Sequence, residues 1–285
     1  MSVEVKNVSF TYCPKTPNAY DALCDISISI NEGDYLTIVG QTGSGKSTLV
    51  QMLNGLTMPS SGTILVDGVS TQLMCKKTKT TKELRKKVGL VFQFPEYQLF
   101  EETILKDVAF GLINFGLEKE KAYEKAKEYI LKVGLNESYF ERSPFELSGG
   151  EKRKVAIAGI LALEPKTLVL DEPTAGLDPK SKMDILNLID TLHKEGRTIV
   201  LVTHNMSIVR KYANHVILID KGDVFFDGTP NDFFLDDKVC EIIEVPEVIA
   251  FAKKLKAKGI DVDINKVTDI QSMVEQIKTW RGRNE

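Results

Sequence analysis

Gly40-Gln41-Thr42-Gly43-Ser44-Gly45-Lys46-Ser47 is the stretch that decides the fold of this chain. It satisfies G-x-x-x-x-G-K-[ST], a loop pattern that cradles phosphates. Ahead of it, Asp34-Tyr35-Leu36-Thr37-Ile38-Val39 predicts a short buried strand, and behind it Thr48-Leu49-Val50-Gln51-Met52-Leu53 predicts the first turns of a helix. Glycine lets the backbone approach an anion and take φ > 0 with no Cβ in the way. The loop N–H groups and the helix N-terminus then converge on one spot, where a phosphate is stabilised. Lys46 adds a full positive charge for β- and γ-phosphates, and Ser47 offers a hydroxyl to Mg²⁺. Residues 40–48, with Thr48 closing the run, are the expected phosphate contacts.

Two further stretches narrow the chemistry. Leu147-Ser148-Gly149-Gly150-Glu151 precedes a helical pattern in which Val155, Ile157, Ala158, Ile160 and Leu161 form an apolar stripe. Ser148 is a plausible N-cap, and Gly149 and Gly150 permit close approach at the helix start, so the chain holds a second helix end suited to an anion. Thr167-Leu168-Val169-Leu170-Asp171-Glu172 is a short apolar run ending in two acids. That is the pattern of a buried strand delivering carboxylates to a site.

These motifs together resemble the ATP-binding-cassette (ABC) ATPases. Residues 147–151 match the family's signature motif, 167–172 its Walker B strand, Ala175-Gly176-Leu177-Asp178 its D-loop, His204 its switch histidine and Gln93 its Q-loop, in the family's order over about residues 1–230. The resemblance implies an α/β fold of the P-loop (RecA-like) cassette type, with an antiparallel β subdomain and a helical signature subdomain. It also implies that Ser148, Gly149 and Gly150 contact ATP bound to an opposite subunit. Asp171, Ser47 and Gln93 are then the Mg²⁺ positions, because a hard cation prefers oxygen ligands. Glu172 polarises the attacking water; positioning and charge stabilisation dominate phosphoryl transfer. His204 follows the strand pattern Thr198-Ile199-Val200-Leu201-Val202-Thr203, so it lies at a strand's carboxyl end, where open α/β sheets bind ligands. There it reaches a γ-phosphate or fixes the catalytic carboxylate. His193 and His215 read as structural. For the adenine, Phe10, Tyr12 and Tyr20 offer ring surfaces, and Tyr12 matches the family's aromatic position best.

Composition agrees. The chain has 285 residues, is 42% hydrophobic and carries a net charge of −3, which gives a globular core and no electrostatic footprint for nucleic acid. No apolar run approaches the roughly 20 residues that span a bilayer, and the N-terminus lacks a signal pattern. Cys13, Cys24, Cys75 and Cys240 are scattered and fit reduced cytosolic thiols. The Lys76–Lys87 cluster reads as an exposed loop or strand rim.

The chain divides into an ATPase domain over 1–229 and a C-terminal helical extension over 230–285. Within the first, 93–150 is a helix-rich insert, and 217–226 reads as a hairpin around Lys221-Gly222. In the extension, 232–244, 246–258 and 268–281 each predict a helix. Ala250, Phe251 and Leu255 form one apolar face; Ile270, Met273, Val274 and Ile277 form another. Such faces must be buried, either on the core or in a dimer contact.

The resemblance sharpens over Val88-Gly89-Leu90-Val91-Phe92-Gln93-Phe94-Pro95-Glu96-Tyr97-Gln98-Leu99-Phe100, over 148–159 and over 171–179. These stretches are very like the ATPases of energy-coupling-factor (ECF) transporters, and closer to one of the two paralogous subunits. That family takes up vitamins or transition-metal ions in prokaryotes. It pairs two ATPase subunits with a transmembrane coupling subunit and a substrate-binding membrane component, so the expected place is the cytoplasmic face of the membrane. The segment 95–111, acidic through Glu101, Glu102 and Asp107, would receive the coupling helices. Glu151 stands where glutamine is common, and function should persist. Two alternatives are less well supported: a non-transport ABC ATPase acting on nucleic acid or ribosomes, and a regulatory module that holds ATP without cutting it. The single cassette without a basic stripe speaks against the first, and the presence of Glu172, His204 and Gln93 against the second. The transported solute is not written in this chain.

Overall fold

The computed structural model describes residues 1–284. The chain opens with β1 (Val3–Tyr12) and β2 (Tyr20–Ile30), then crosses to β3 (Tyr35–Val39) and runs through the glycine loop into α1 (Lys46–Leu53). It returns for β4 (Ser61–Val66) and β5 (Val69–Ser70), followed by α2 (Thr71–Met74), α3 (Thr78–Lys87) and β6 (Val88–Val91). The helical insert holds α4 (Ile104–Asn114) and α5 (Lys119–Lys132), and α6 (Gly149–Leu161) leads out of it. Then β7 (Thr167–Asp171), α7 (Pro179–Lys194), β8 (Thr198–Val202), α8 (Met206–Tyr212), β9 (His215–Asp220) and β10 (Asp223–Gly228) complete the catalytic part. Last come α9 (Pro230–Leu235), α10 (Asp237–Ile242), α11 (Glu247–Ala257) and α12 (Ile270–Asn284).

The strands form two sheets. One is antiparallel, in the order β2-β1-β4-β5; the other has the order β10-β9-β3-β8-β7-β6 and is parallel except for β10. Every residue of β3, β7 and β8 is buried, as expected of parallel strands covered on both faces. Lys221 and Gly222, both with positive φ, make the tight turn between β9 and β10. The Cys24 N–H donates to the Gly222 carbonyl at 2.9 Å, which ties this turn to the antiparallel sheet.

Three apolar clusters hold the parts together. Leu49, Met52 and Leu53 of α1 pack between the two sheets with Val5, Ile26, Ile38 and Val200. The insert packs its helices on the other face of the parallel sheet, through Val108, Ala126, Ile157, Leu168 and Ile199. Residues of the extension (Phe233, Phe234, Val239, Ile249, Ala252, Val262 and Met273) share a cluster with Val39, Val209, Val216 and Leu218 of the catalytic part.

Several sequence expectations need correcting. The 76–87 stretch is not a loop or strand rim: it contains α3, whose buried Leu84 holds it on the sheet while its lysines face solvent. The helix predicted over 232–244 is two helices, because Asp236 breaks the first and caps the second, accepting from the N–H groups of Lys238 and Val239. The buried face of α11 is Ile249 and Ala252, and Phe251 stays 48% exposed. On α12 Met273 is buried, whereas Ile270 is 70% exposed.

Candidate active site

The 40–47 loop joins β3 to α1 and bends at glycines whose φ values are 146° (Gly40), 83° (Gly43) and 104° (Gly45). A Cβ on Gly40 would lie 2.1 Å from the Ile219 carbonyl oxygen, and one on Gly45 would lie 2.4 Å from that of Ala22. Neither neighbour can yield, so the cradle depends on these two glycines. Gly45 begins α1 without a side-chain cap, which leaves the first helical N–H groups available to an anion. Lys46 is buried, and its ammonium donates to the carbonyls of Gly40 at 2.8 Å and Gln41 at 2.6 Å. Burial pushes its pKa down, opposed by the charges of Glu172 and Asp171. Ser44 is buried beneath the same amine.

Beside the loop lies a cavity of about 160 Å³ lined by Tyr12, Tyr20, Gly43, Gly45, Lys46 and Ser47, among others. The hydroxyls of Tyr12 and Thr48 are 2.9 Å apart, so Thr48 fixes the aromatic ring that borders the cavity. Tyr12 also packs edge-on against Phe10, their centroids 4.8 Å apart. The Tyr20 hydroxyl donates to the Gly43 carbonyl at 3.0 Å. Two of the three aromatic candidates therefore flank the loop, and Phe10 backs one of them.

Asp171 ends β7 and is buried. Burial raises its pKa, and a hydrogen bond from Ser47 and the charge of Lys46 oppose the rise. The hydroxyl, carboxylate and ammonium groups named from the motifs thus meet at one point. Glu172 follows at φ 49°, an αL conformation that turns the chain off the strand, and its N–H donates to the Val202 carbonyl at 3.1 Å. Its carboxylate lies 2.8 Å from His204 Nδ1. The His204 side chain is 78% exposed, so this pair stands at the open rim of the site. The Ser47 hydroxyl hydrogen-bonded to the buried Asp171 carboxylate offers two hard oxygen donors, which fit Mg²⁺.

Gln93 is exposed just beyond β6, and no hydrogen bond among the described residues ties it to Ser47, Asp171 or Glu172. Ser148 and Gly149 are exposed at the start of α6 and do not line the phosphate-loop cavity. Ser148 and Glu151 form a reciprocal capping box, and the Tyr139 hydroxyl donates to Glu151 at 2.6 Å. Those hydrogen bonds from Ser148 and Tyr139 hold the Glu151 pKa down at about 2. Glu151 therefore braces the start of α6. Gly150 is buried against Ser181 of α7, where a Cβ would come within 2.3 Å of the serine hydroxyl. Asp178 caps α7 by accepting from the N–H groups of Lys180 and Ser181, both at 3.0 Å. His193 and His215 serve elsewhere: His193 Nε2 lies 2.9 Å from the Gly33 carbonyl, and His215 sits between Asp34 and Asp227.

One residue of consequence escaped the sequence reading. Arg153 of α6 is 1% exposed. It pairs with both carboxylate oxygens of Glu96 at 3.0 and 2.6 Å, and donates to the carbonyls of Pro173 at 3.0 Å and Ala175 at 2.7 Å. One guanidinium thus joins the signature helix, the segment after Gln93 and the turn after Glu172. It hides in the run Lys152-Arg153-Lys154, which reads as a solvated charged face.

Comparison with known proteins matches this geometry. The ABC transporter family model covers residues 23–175. The chain is 49% identical over 280 residues to the energy-coupling factor transporter ATP-binding protein EcfA2 of Streptococcus agalactiae serotype Ia, covering 98% of this chain and 99% of that protein. Among solved structures, cbiO1 from Clostridium perfringens, part of the ABC transporter complex cbiONQ, superposes with a TM-score of 0.72 at 35% identity, covering 90% of this chain and 94% of that one. A dimeric ATP-binding cassette in a post-hydrolysis state, bound to ADP and Pi, superposes with a TM-score of 0.72 at 32% identity, covering 80% and 98%. With a P-loop, a paired glutamate and histidine, and full-length likeness of this kind, the chain belongs to the ABC transporter family, among the ATPase subunits of energy-coupling factor transporters.

Proposed function

We propose that this ATPase binds Mg·ATP on residues 40–48 and that its phosphate site is completed by Ser148, Gly149 and Gly150 of a second ATPase subunit, identical or paralogous. The observation that carries this reading is the separation of the two halves. The loop, Lys46, Ser47 and Asp171 gather beside the Glu172–His204 pair, while Ser148 and Gly149 lie exposed and outside that cavity. Each protomer offers one face of a seam and needs another to close it. Ser47 and Asp171, with Gln93 as a further donor, would hold a Mg²⁺, which would supply charge neutralisation to the triphosphate.

The chain's own groups do the rest. Lys46 exchanges its carbonyl partners Gly40 and Gln41 for phosphate oxygens. Tyr12, fixed through Thr48, offers its ring to the adenine. Glu172 orients the attacking water and His204 holds that carboxylate at the rim. Closing two protomers on ATP and opening them after hydrolysis is a population shift driven by ligand contacts. A transmembrane coupling subunit seated near 95–111 would carry that movement to a substrate-binding membrane component, with the ATPase peripheral at the cytoplasmic face. Among the described residues no helix is long and apolar enough to cross a membrane.

The test is Glu172→Gln in the assembled complex. ATP binding should persist while turnover falls roughly 10²–10⁴-fold, and Lys46→Ala should weaken binding itself. Wild-type turnover by the Glu172→Gln complex would refute the assignment.

A further inference from the structure

Helix α8 starts two residues after His204 and is gripped from both sides. Ile208 enters the cluster beneath the helical insert, whereas Met206 and Val209 enter the cluster shared with the extension. Arg210, on the same helix, is 7% exposed and makes no salt bridge among the described residues. Its Nε donates to the Val267 carbonyl at 2.7 Å, and its Nη2 to the carbonyls of Ile264 at 2.9 Å and Asn265 at 2.7 Å. Its Nη1 donates to Asn231 Oδ1 at 2.6 Å, and its plane faces the Phe234 ring at 6.0 Å. A guanidinium withdrawn from water needs most of its donors matched, and here the match comes almost wholly from main chain of the extension. The planar fork suits that arrangement; a lysine ammonium at the end of a flexible stem does not span it.

We propose that Arg210 is a positioning residue for His204: it fixes the helix behind the histidine to the C-terminal extension, so that the extension's placement sets the Glu172–His204 geometry. The extension is then part of the hydrolytic apparatus without touching the nucleotide. Any partner that shifts residues 264–267 shifts the rim of the site through one short helix. This rests on the reading of His204 as a hydrolytic residue.

The experiment is Arg210→Lys in the full chain, with two readouts. The chain has three histidines, so ring-labelled histidine gives resolvable signals. The His204 ring resonances should move while those of His193 and His215 stay. In the assembled complex kcat should fall about 3–10-fold, with KM for ATP changed less than about twofold, and Arg210→Lys should cause no further loss in a His204→Ala background. Asn231→Ala, which removes only the Nη1 partner, should move the same resonances by less and serves if Arg210→Lys does not fold. The proposal is overturned if His204 resonances stay fixed, or if Arg210→Lys lowers kcat by the same factor in both backgrounds. Failure of the underlying reading looks different: His204→Ala alone would then keep wild-type turnover.

Discussion

Replacing Arg153 by alanine should separate three parts of the site that one side chain now joins. The guanidinium is 1% exposed, its partner Glu96 14%. Truncation strands a nearly buried carboxylate and leaves the Pro173 and Ala175 carbonyls without the donors at 3.0 and 2.7 Å. Breaking a buried pair from one side costs about 3–5 kcal/mol. The residual exposure of Glu96 lets water reach one oxygen, which argues for the lower end, about 3 kcal/mol. Glu96→Gln keeps one neutral acceptor and the two carbonyl partners but removes the counter-charge, and should cost about 1.5–3 kcal/mol. Urea unfolding followed by circular dichroism reads both, provided the slope of the transition is unchanged. A loss under about 1 kcal/mol for Arg153→Ala would refute the reasoning. The functional consequence is separable. Pro173 and Ala175 lie just past Glu172, so a displaced turn misplaces the carboxylate, and turnover should fall roughly 10²-fold while ATP affinity holds.

The capping box gives a pH signature. Glu151 has its pKa lowered from 4.5 to about 2 in the folded chain, so its contribution is full above pH 4.5 and is lost as pH falls from there towards 2. Glu151 is half-buried with water still reaching it, so screening reduces the contribution to about 1 kcal/mol; the stability difference between wild type and Glu151→Gln should shrink between about pH 5 and pH 3, and a difference constant over that range would exclude this account. Glycine substitutions should split by surroundings. Gly40→Ala meets a carbonyl at 2.1 Å and should lower both melting temperature and ATP affinity, whereas Gly149 has open space around its Cβ position. Gly149→Ala should therefore keep the wild-type melting temperature and lose turnover only in the assembled complex; a lowered melting temperature would contradict the seam.

Much of this site was legible because its chemistry is local in sequence. The loop at 40–47, the strand ending in Asp171 and Glu172, and His204 after β8 each combine a buried β pattern with residues of fixed chemical use. The convergence of Asp171 with Ser47 and of Glu172 with His204 follows from adjacent parallel strands, since β3, β8 and β7 are neighbours. What stayed hidden depends on partners far away in sequence. Arg153 reaches Glu96, 57 residues back, and Arg210 reaches Val267, 57 residues on. Both lie in charged surroundings (Lys152-Arg153-Lys154 and Arg210-Lys211), where periodicity predicts a solvated face. The α3 helix was missed because its lysine-rich exterior outweighs one buried leucine, Leu84, in any pattern count. On α11 and α12 amphipathic spacing found the helices and part of the inward face (Leu255, Met273 and Ile277), but also placed exposed Phe251 and Ile270 there, because a short stripe fits more than one rotation.

The seam between protomers is tested most directly by ATP-dependent pairing of the Glu172→Gln chain with its ATPase partner, measured by light scattering with and without Ser148→Arg in the same chain. A bulky cation at an exposed helix start should abolish the nucleotide-closed pair while ATP still binds residues 40–48 of the single chain. Undiminished pairing by the Ser148→Arg chain would contradict a triphosphate held between two subunits.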